Sequence, residues 1–266
     1  MGRGRNEHFS NKSLYRSTFA GNPAAVCFLP KSKDAEWMQK VAKEIHLPTT
    51  AFIKHTNGRF SLRWFTPSTE IPLCGHGTLA SAYVLWEMGY IKAENPVSFS
   101  TKSGILTATV KNDWIELDFP SAPDHEINAP DKLIQALGVV PKYVGKNQLD
   151  YIVEVESDDV VKNLIPDIDS IAQLPIRGVI VTSRSSSGRF DFISRFFSPA
   201  QGIVEDAVTG SAHCCLGPYW KRRLNKDEFI AYHASSRGGM IKVKMANNRV
   251  LLSGKAVTVM KGELLV

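Results

Sequence analysis

The 266-residue chain has no run of apolar residues approaching the roughly 20 needed to cross a bilayer. Its opening, Met1-Gly2-Arg3-Gly4-Arg5-Asn6-Glu7-His8, is polar with no apolar stretch behind it, so neither a secretory leader nor an anchor is expected. The expectation is a cytoplasmic protein without a membrane partner. Cysteine is scarce: Cys27, Cys74, Cys214 and Cys215 form no CxxC pair and two are adjacent, which argues against disulfides and zinc and for reduced thiols. No metal-ligand cluster, dinucleotide fingerprint or phosphate loop is present, so no metal and no cofactor are expected. A basic stripe is also missing. Formal charge is +6, but only Lys221-Arg222-Arg223 forms a run, and a solvated basic surface is favoured over a nucleic-acid footprint.

What is present is an ordinary globular composition, 43% hydrophobic and 22% charged, enough for one large core or two halves of about 130 residues. Strand and helix patterns alternate without any low-complexity block, which indicates an α/β or α+β fold. Ala24 to Leu29 reads as a buried strand. Asp34 to Ile45 reads as a helix, since Trp37, Met38, Val41, Ala42 and Ile45 share one face behind an acidic first turn. Phe60 to Phe65 alternates as a strand and stops at Thr66-Pro67. Ile105 to Val110 and Trp114 to Phe119 form a hairpin through Lys111-Asn112-Asp113. After Pro120 to Pro123 similar material begins again: a helix from Asp131, strands at Tyr151 to Val155 and Gly178 to Thr182, and a meander from Gly239 to Val259.

That second beginning is a repeat. Arg63-Trp64-Phe65-Thr66-Pro67 is echoed 132 residues on by Arg195-Phe196-Phe197-Ser198-Pro199. About ten residues past each proline, a glycine turn opens an apolar helix: Cys74-Gly75-His76-Gly77-Thr78-Leu79-Ala80 and Asp206-Ala207-Val208-Thr209-Gly210-Ser211-Ala212. A helix start carries unpaired N–H groups and partial positive charge. Two such ends facing one another would cradle a small anion, most plausibly a carboxylate. Thr78 and Ser211 would add hydroxyl donors, and His76 and Asp206 are titratable groups in the same turns, as proton transfer requires. The plainer alternative is two capped helices, with Asp206 and Thr209 as caps and the glycines serving packing.

Three ordered segments carry a family resemblance: Phe19-Ala20-Gly21-Asn22-Pro23-Ala24-Ala25-Val26; Thr66-Pro67 with Glu70 and Cys74 to Ala80; and Glu205-Asp206-Ala207-Val208-Thr209-Gly210-Ser211-Ala212. Together they resemble the signatures of the phenazine-biosynthesis PhzF-like isomerase family, from about Phe19 to the end of the chain. The resemblance implies a diaminopimelate epimerase-like α+β fold. It comprises two pseudo-symmetric halves, each a curled sheet around a central helix, with the active site in the cleft between them. The halves would be 1–118 and 119–266, with the last strand a candidate to return to the first. It further implies a cofactor-independent isomerase or epimerase, a homodimer, whose best-known member moves a proton in a dihydro-hydroxyanthranilate. By matching positions, His76, Asp206 and Ser211 would line the pocket, and Gly75, Gly77 and Gly210 would present backbone donors.

Position 49 departs from the family. A glutamate that shuttles the proton is expected directly before Thr50-Ala51-Phe52, and here the residue is Thr49, whose hydroxyl has no useful acidity near neutral pH. Glu44 on the preceding helix, Cys74 at the position of a catalytic thiol in distantly related epimerases, and His76 are the candidate replacements; against Cys74, buried inert cysteine is the commoner fate. A second departure is the polar segment Phe9 to Thr18, which lacks the alternation of a paired strand, so a frayed or differently built first strand is expected. Three readings follow: an isomerase acting on a small carboxylate-bearing metabolite with a relocated acid, a small-anion binding protein that has lost turnover, or a structural role through a dimer surface.

Overall fold

A computed structural model describes residues 8–12, 19–56 and 58–266. In chain order the elements are β1 (His8–Lys12), β2 (Ala24–Leu29), α1 (Ala35–Ile45), β3 (Thr49–Thr56), β4 (Arg59–Phe65), β5 (Glu70–Ile71), α2 (Gly75–Glu87), β6 (Val97–Thr101), β7 (Gly104–Lys111) and β8 (Trp114–Pro120). They continue with β9 (His125–Glu126), α3 (Asp131–Leu137), β10 (Tyr143–Lys146), β11 (Asp150–Glu154), α4 (Asp158–Asn163), α5 (Ile168–Ala172), β12 (Gly178–Arg184), β13 (Phe192–Phe197), α6 (Gly210–Leu224), β14 (Glu228–His233), β15 (Gly239–Ala246), β16 (Arg249–Gly254) and β17 (Thr258–Glu263). The chain divides into two compact units: the described residues up to Asp118 with Ser253–Val266, and Phe119–Leu252.

In the first unit the strand order is β17-β1-β2-β3-β4-β6-β7-β8. The pairs β2–β3 and β4–β6 are parallel and the others antiparallel. In the second it is β9-β10-β11-β12-β13-β14-β15-β16, with β11–β12 and β13–β14 parallel, so the same senses recur at the same places. The sequence repeat is therefore a repeat of topology: α1 lies between β2 and β3 as α4 and α5 lie between β11 and β12, and α2 follows β4 as α6 follows β13. The fold is α+β and pseudo-symmetric.

Each central helix is buried on every side, which a one-sided sheet could not achieve. In α2 the residues Gly77 to Ala82 are all buried, as are Val84 and Leu85, and the helix packs on β2, β3 and β7 from opposite parts of its curled sheet. In α6 nine consecutive residues, Ala212 to Trp220, are buried. Pro218 lies inside this helix and has no N–H for the carbonyl of Cys214; the N–H of Ala122 donates to that carbonyl instead, at 3.0 Å. The outer helix α1 is one-sided. Met38, Val41 and Ala42 pack against Phe52 and Phe65, each apolar side chain so buried contributing about 1.5–3 kcal/mol, while Asp34 caps the helix by accepting from the N–H of Trp37 at 2.7 Å.

Three local expectations are met closely: β2, α1, which begins one residue later than read because Asp34 is its cap, and the β7–β8 hairpin, whose Asn112 and Asp113 both take the left-handed backbone conformation its short turn needs. Two are corrected. His8–Lys12 does form a strand, without apolar alternation, because β2 and β17 both pair its backbone, so its hydrogen bonds hold it on two edges; residues 13–18 of the same segment lie outside the described residues. The late meander is also broken, since β17 leaves it to pair with β1. Trp64, Phe65, Phe196 and Phe197 are core side chains.

Candidate functional site

In the first unit Thr49 opens β3 and Cys74 is the N-cap of α2, and the two side chains meet: Thr49 Oγ1 lies 3.5 Å from Cys74 Sγ. The N–H of Gly77, one of the orphan donors of the helix start, donates to the same sulfur at 3.4 Å. The sulfur also sits 3.6 Å and 3.8 Å from the two ring nitrogens of His76. His76 Nδ1 is in turn 3.4 Å from the amide nitrogen of Asn22, a residue of the first signature segment. Burial alone would push the Cys74 thiol up, but the charge and hydrogen bond of His76, then Thr49 and the N–H of Gly77, outweigh it and lower the thiol below its ordinary value. Glycine at 77 is what permits this approach. A Cβ there would stand 2.8 Å from Trp64 Cδ1, 3.1 Å from Cys74 Sγ and 3.2 Å from Thr49 Cγ2.

The hydroxyl of Thr78 is not available as a donor to a ligand. It is buried and donates at 2.6 Å to the carbonyl of Cys74, the i−4 bond that threonine readily makes inside a helix. Gly75 is the first residue of α2. Glu44 is exposed on α1, away from the sulfur's contacts.

In the second unit Asp206 is buried, its N–H bonded to the carbonyl of Phe196 at 3.0 Å, and its Oδ2 accepts from Thr209 Oγ1 at 2.6 Å. Thr209 is the N-cap of α6 but makes no side-chain capping bond; its hydroxyl donates to Asp206. The expected capping role of this pair is thus replaced by a bond between them. Gly210 and Ser211 form the first turn, and Ser211 Oγ accepts from Arg177 Nη1 at 3.1 Å. Sequence reasoning missed Arg177. Its guanidinium holds Asp150 through both ends, Nε to Oδ1 at 2.8 Å and Nη2 to Oδ2, and nothing in its loop, Pro175-Ile176-Arg177, signals that role.

The arginines of the repeat do the same thing twice. Arg63 grips Glu70 through Nε and Nη2, both at 2.8 Å, and Arg195 grips Glu205 at 2.6 Å and 3.1 Å. Each guanidinium also lies over a phenylalanine two residues on, Phe65 at 5.2 Å and Phe197 at 4.9 Å. These clamps span the connection between strand and glycine turn. Hydrogen bonds from Arg63 pull the Glu70 carboxyl down to about 2. The run Lys221-Arg222-Arg223 is neutralised: the three pair with Asp227, Asp124 and Glu154.

The profile of the phenazine biosynthesis-like protein family (PhzC-PhzF) matches residues 15–262. The chain belongs to this family. It is 57% identical over 249 residues, 93% of this chain and 94% of the relative, to a protein named an uncharacterized isomerase in Halalkalibacterium halodurans. A crystal structure titled a phenazine biosynthesis protein of the PhzF family from Enterococcus faecalis superposes with a TM-score of 0.93 at 37% identity, covering 98% of this chain and 100% of that one. A structure titled a predicted epimerase from Pseudomonas aeruginosa shares the fold at a TM-score of 0.77 and 19% identity over 98% and 99%. Within this PhzF-like framework the first unit gathers Thr49, Cys74, His76 and Gly77 around one sulfur, and the second gathers Asp206, Thr209, Gly210 and Ser211 at a helix start. Among the described residues, no three His, Cys, Asp or Glu side chains are grouped to hold a metal ion, and no helix is long and apolar enough to cross a membrane.

Proposed function

We propose that this PhzF-like protein is an isomerase that moves a proton on a small carboxylate-bearing metabolite without a cofactor, and that Cys74 with His76 performs the proton transfer assigned in the family to a carboxylate at position 49. One observation carries the reading: a buried sulfur accepts a helix-terminal N–H and lies within hydrogen-bond reach of a hydroxyl and an imidazole, surroundings that favour the thiolate a proton-transfer base must be. In such a step the thiolate takes a proton from a substrate carbon and the electron pair moves within the substrate. The thiol then returns the proton to another carbon, leaving no net oxidation. Position 49 thereby changes its part, from carrying the proton to holding the carrier. Ser211 and Asp206 are assigned to substrate binding and to the second proton-handling position.

One feature favours a binding role instead: Cys74 is only 6% exposed and Thr49 2%. The test is proton exchange by NMR in D₂O with a panel of small carboxylates, including dihydro-hydroxyanthranilate. Exchange that falls by about 10²-fold or more in Cys74→Ala and persists in Thr49→Val supports the proposal. Exchange seen only in Thr49→Glu would instead mean a pocket that binds without turning over.

A further inference from the structure

The core of the second unit contains two histidines that belong to none of the three signature segments. His213 is fully buried on α6, four residues after Thr209, and His233 is fully buried at the end of β14, the ring centres 6.2 Å apart. Of their four ring nitrogens only one has a hydrogen-bond partner among the described residues: His213 Nδ1, 2.8 Å from the carbonyl oxygen of Thr209. Leaving a buried polar atom unpartnered costs about 1–3 kcal/mol, so an apolar residue of similar size would serve packing better. The single bond that is made is therefore informative. A carbonyl can only accept, so Nδ1 carries the hydrogen, and the tautomer of His213 is fixed.

Thr209 is the residue whose hydroxyl donates to Asp206 Oδ2 at 2.6 Å. We propose that His213 is a positioning residue: by pinning the carbonyl of Thr209 it fixes the helix-start peptide, and through the Thr209 hydroxyl it holds the Asp206 carboxylate in one orientation. The arrangement runs from core to site in two bonds, His213 to the Thr209 backbone and the Thr209 side chain to Asp206. Phe192, whose ring centre is 6.0 Å from that of His213 and which stacks on Trp220, backs the imidazole so that it cannot swing away. The functional consequence rests on the reading of Asp206 as a proton-handling group; the geometric one does not.

The experiment uses the full chain and three variants, His213→Leu, His213→Asn and His213→Gln. Asparagine places an N–H near the former Nδ1, whereas leucine and glutamine do not. Nitrogen-15 NMR of the parent protein is expected to show His213 neutral with its hydrogen on Nδ1. Carbon-13 titration of the Asp206 carboxyl is expected to move in His213→Leu and to return to the parent curve in His213→Asn. With a probe from the carboxylate panel that exchanges, kcat for exchange should drop by about 10²-fold in His213→Leu with KM little changed, and recover in His213→Asn. The proposal is overturned if the Asp206 titration is the same in all four proteins, or if His213→Asn fails as badly as His213→Leu while thermal unfolding remains cooperative. If no probe exchanges with the parent protein, the isomerase reading fails alone, and the Asp206 titration still decides this one.

Discussion

Cys74 and Cys214 are buried to the same degree, 6% and 7% exposed, and both lie near the start of their unit's central helix, yet their surroundings drive them in opposite directions. Cys74 caps α2 and accepts from an N–H, with His76 and Thr49 beside it, and its thiol is lowered. Cys214 is a full turn inside α6, gives its hydrogen to the carbonyl of Gly210 at 3.8 Å, and burial pushes its thiol up to about 12. The difference teaches that burial does not by itself make a cysteine inert. What matters is whether the helix presents donors or acceptors to the sulfur, and that changes within one turn.

Thiol alkylation is the sharpest way to break this contrast. Since exposure is matched, the rates of modification by iodoacetamide at pH 8, read by mass spectrometry, should differ by about 10-fold or more in favour of Cys74, its larger thiolate fraction outweighing the lower nucleophilicity of a lower-pKa thiolate. Similar rates would show that access and not the donors governs both sulfurs.

Acid should separate the two units next. Burial lowers His213 to about 4, and His233 well below its ordinary 6.5. In the folded state His213 stays neutral while the unfolded chain takes up a proton below 6.5, so stability is full above that value and declines as pH falls from 6.5 towards 4, by up to about 3 kcal/mol for this residue. Glu70 in the first unit has the same sign of consequence in a lower pH window. Its carboxyl, lowered from 4.5 to about 2, stabilises fully above 4.5 and loses that contribution only as pH falls towards 2. Hydrogen exchange resolved along the chain should show the second unit loosening between pH 6 and 4 while the first holds.

The smallest expected difference concerns the repeated clamps. Arg195 also donates to the carbonyls of Val161 and Leu164, at 3.2 Å and 2.7 Å, and is more enclosed than Arg63. Arg195→Lys should cost about 3 kcal/mol and Arg63→Lys about 1, measured by urea unfolding, because lysine cannot make the forked contact and leaves more groups unpartnered at the enclosed site. Equal costs would mean that the clamps are equivalent in energy as well as in form.

The fold was legible where local chemistry and tertiary demand agree. The periodicity of α1, its acidic cap and the turn residues Asn112 and Asp113 specify their elements without help, and the Arg-aromatic-aromatic repeat marks the two helix starts. The short α4 and α5, with six and five residues, were not legible, because helices of that length are held by packing rather than by a readable period. At the site, Thr49, Cys74, His76 and Asp206 could be named from motif position, but not which groups touch. That Thr49 contacts Cys74 follows from β3 running beside α2, and that Thr78 turns inward follows from its place in a buried helix. Arg177, His213 and His233 carried no signal. Each acts through a long-range contact made by the folded sheet, and a single histidine in an apolar helix looks the same whether it fills space or fixes a carbonyl.

Pro218 would ordinarily count as a flaw in α6. Its missing N–H opens one carbonyl on the helix, and the strand-to-strand connection at Ala122 uses that opening as its point of attachment. A connection more than ninety residues earlier in the chain is thereby fastened to the helix by a bond the helix could not make for itself. Restoring an ordinary residue at 218 would give that carbonyl a second donor from the helix and make the attachment share it.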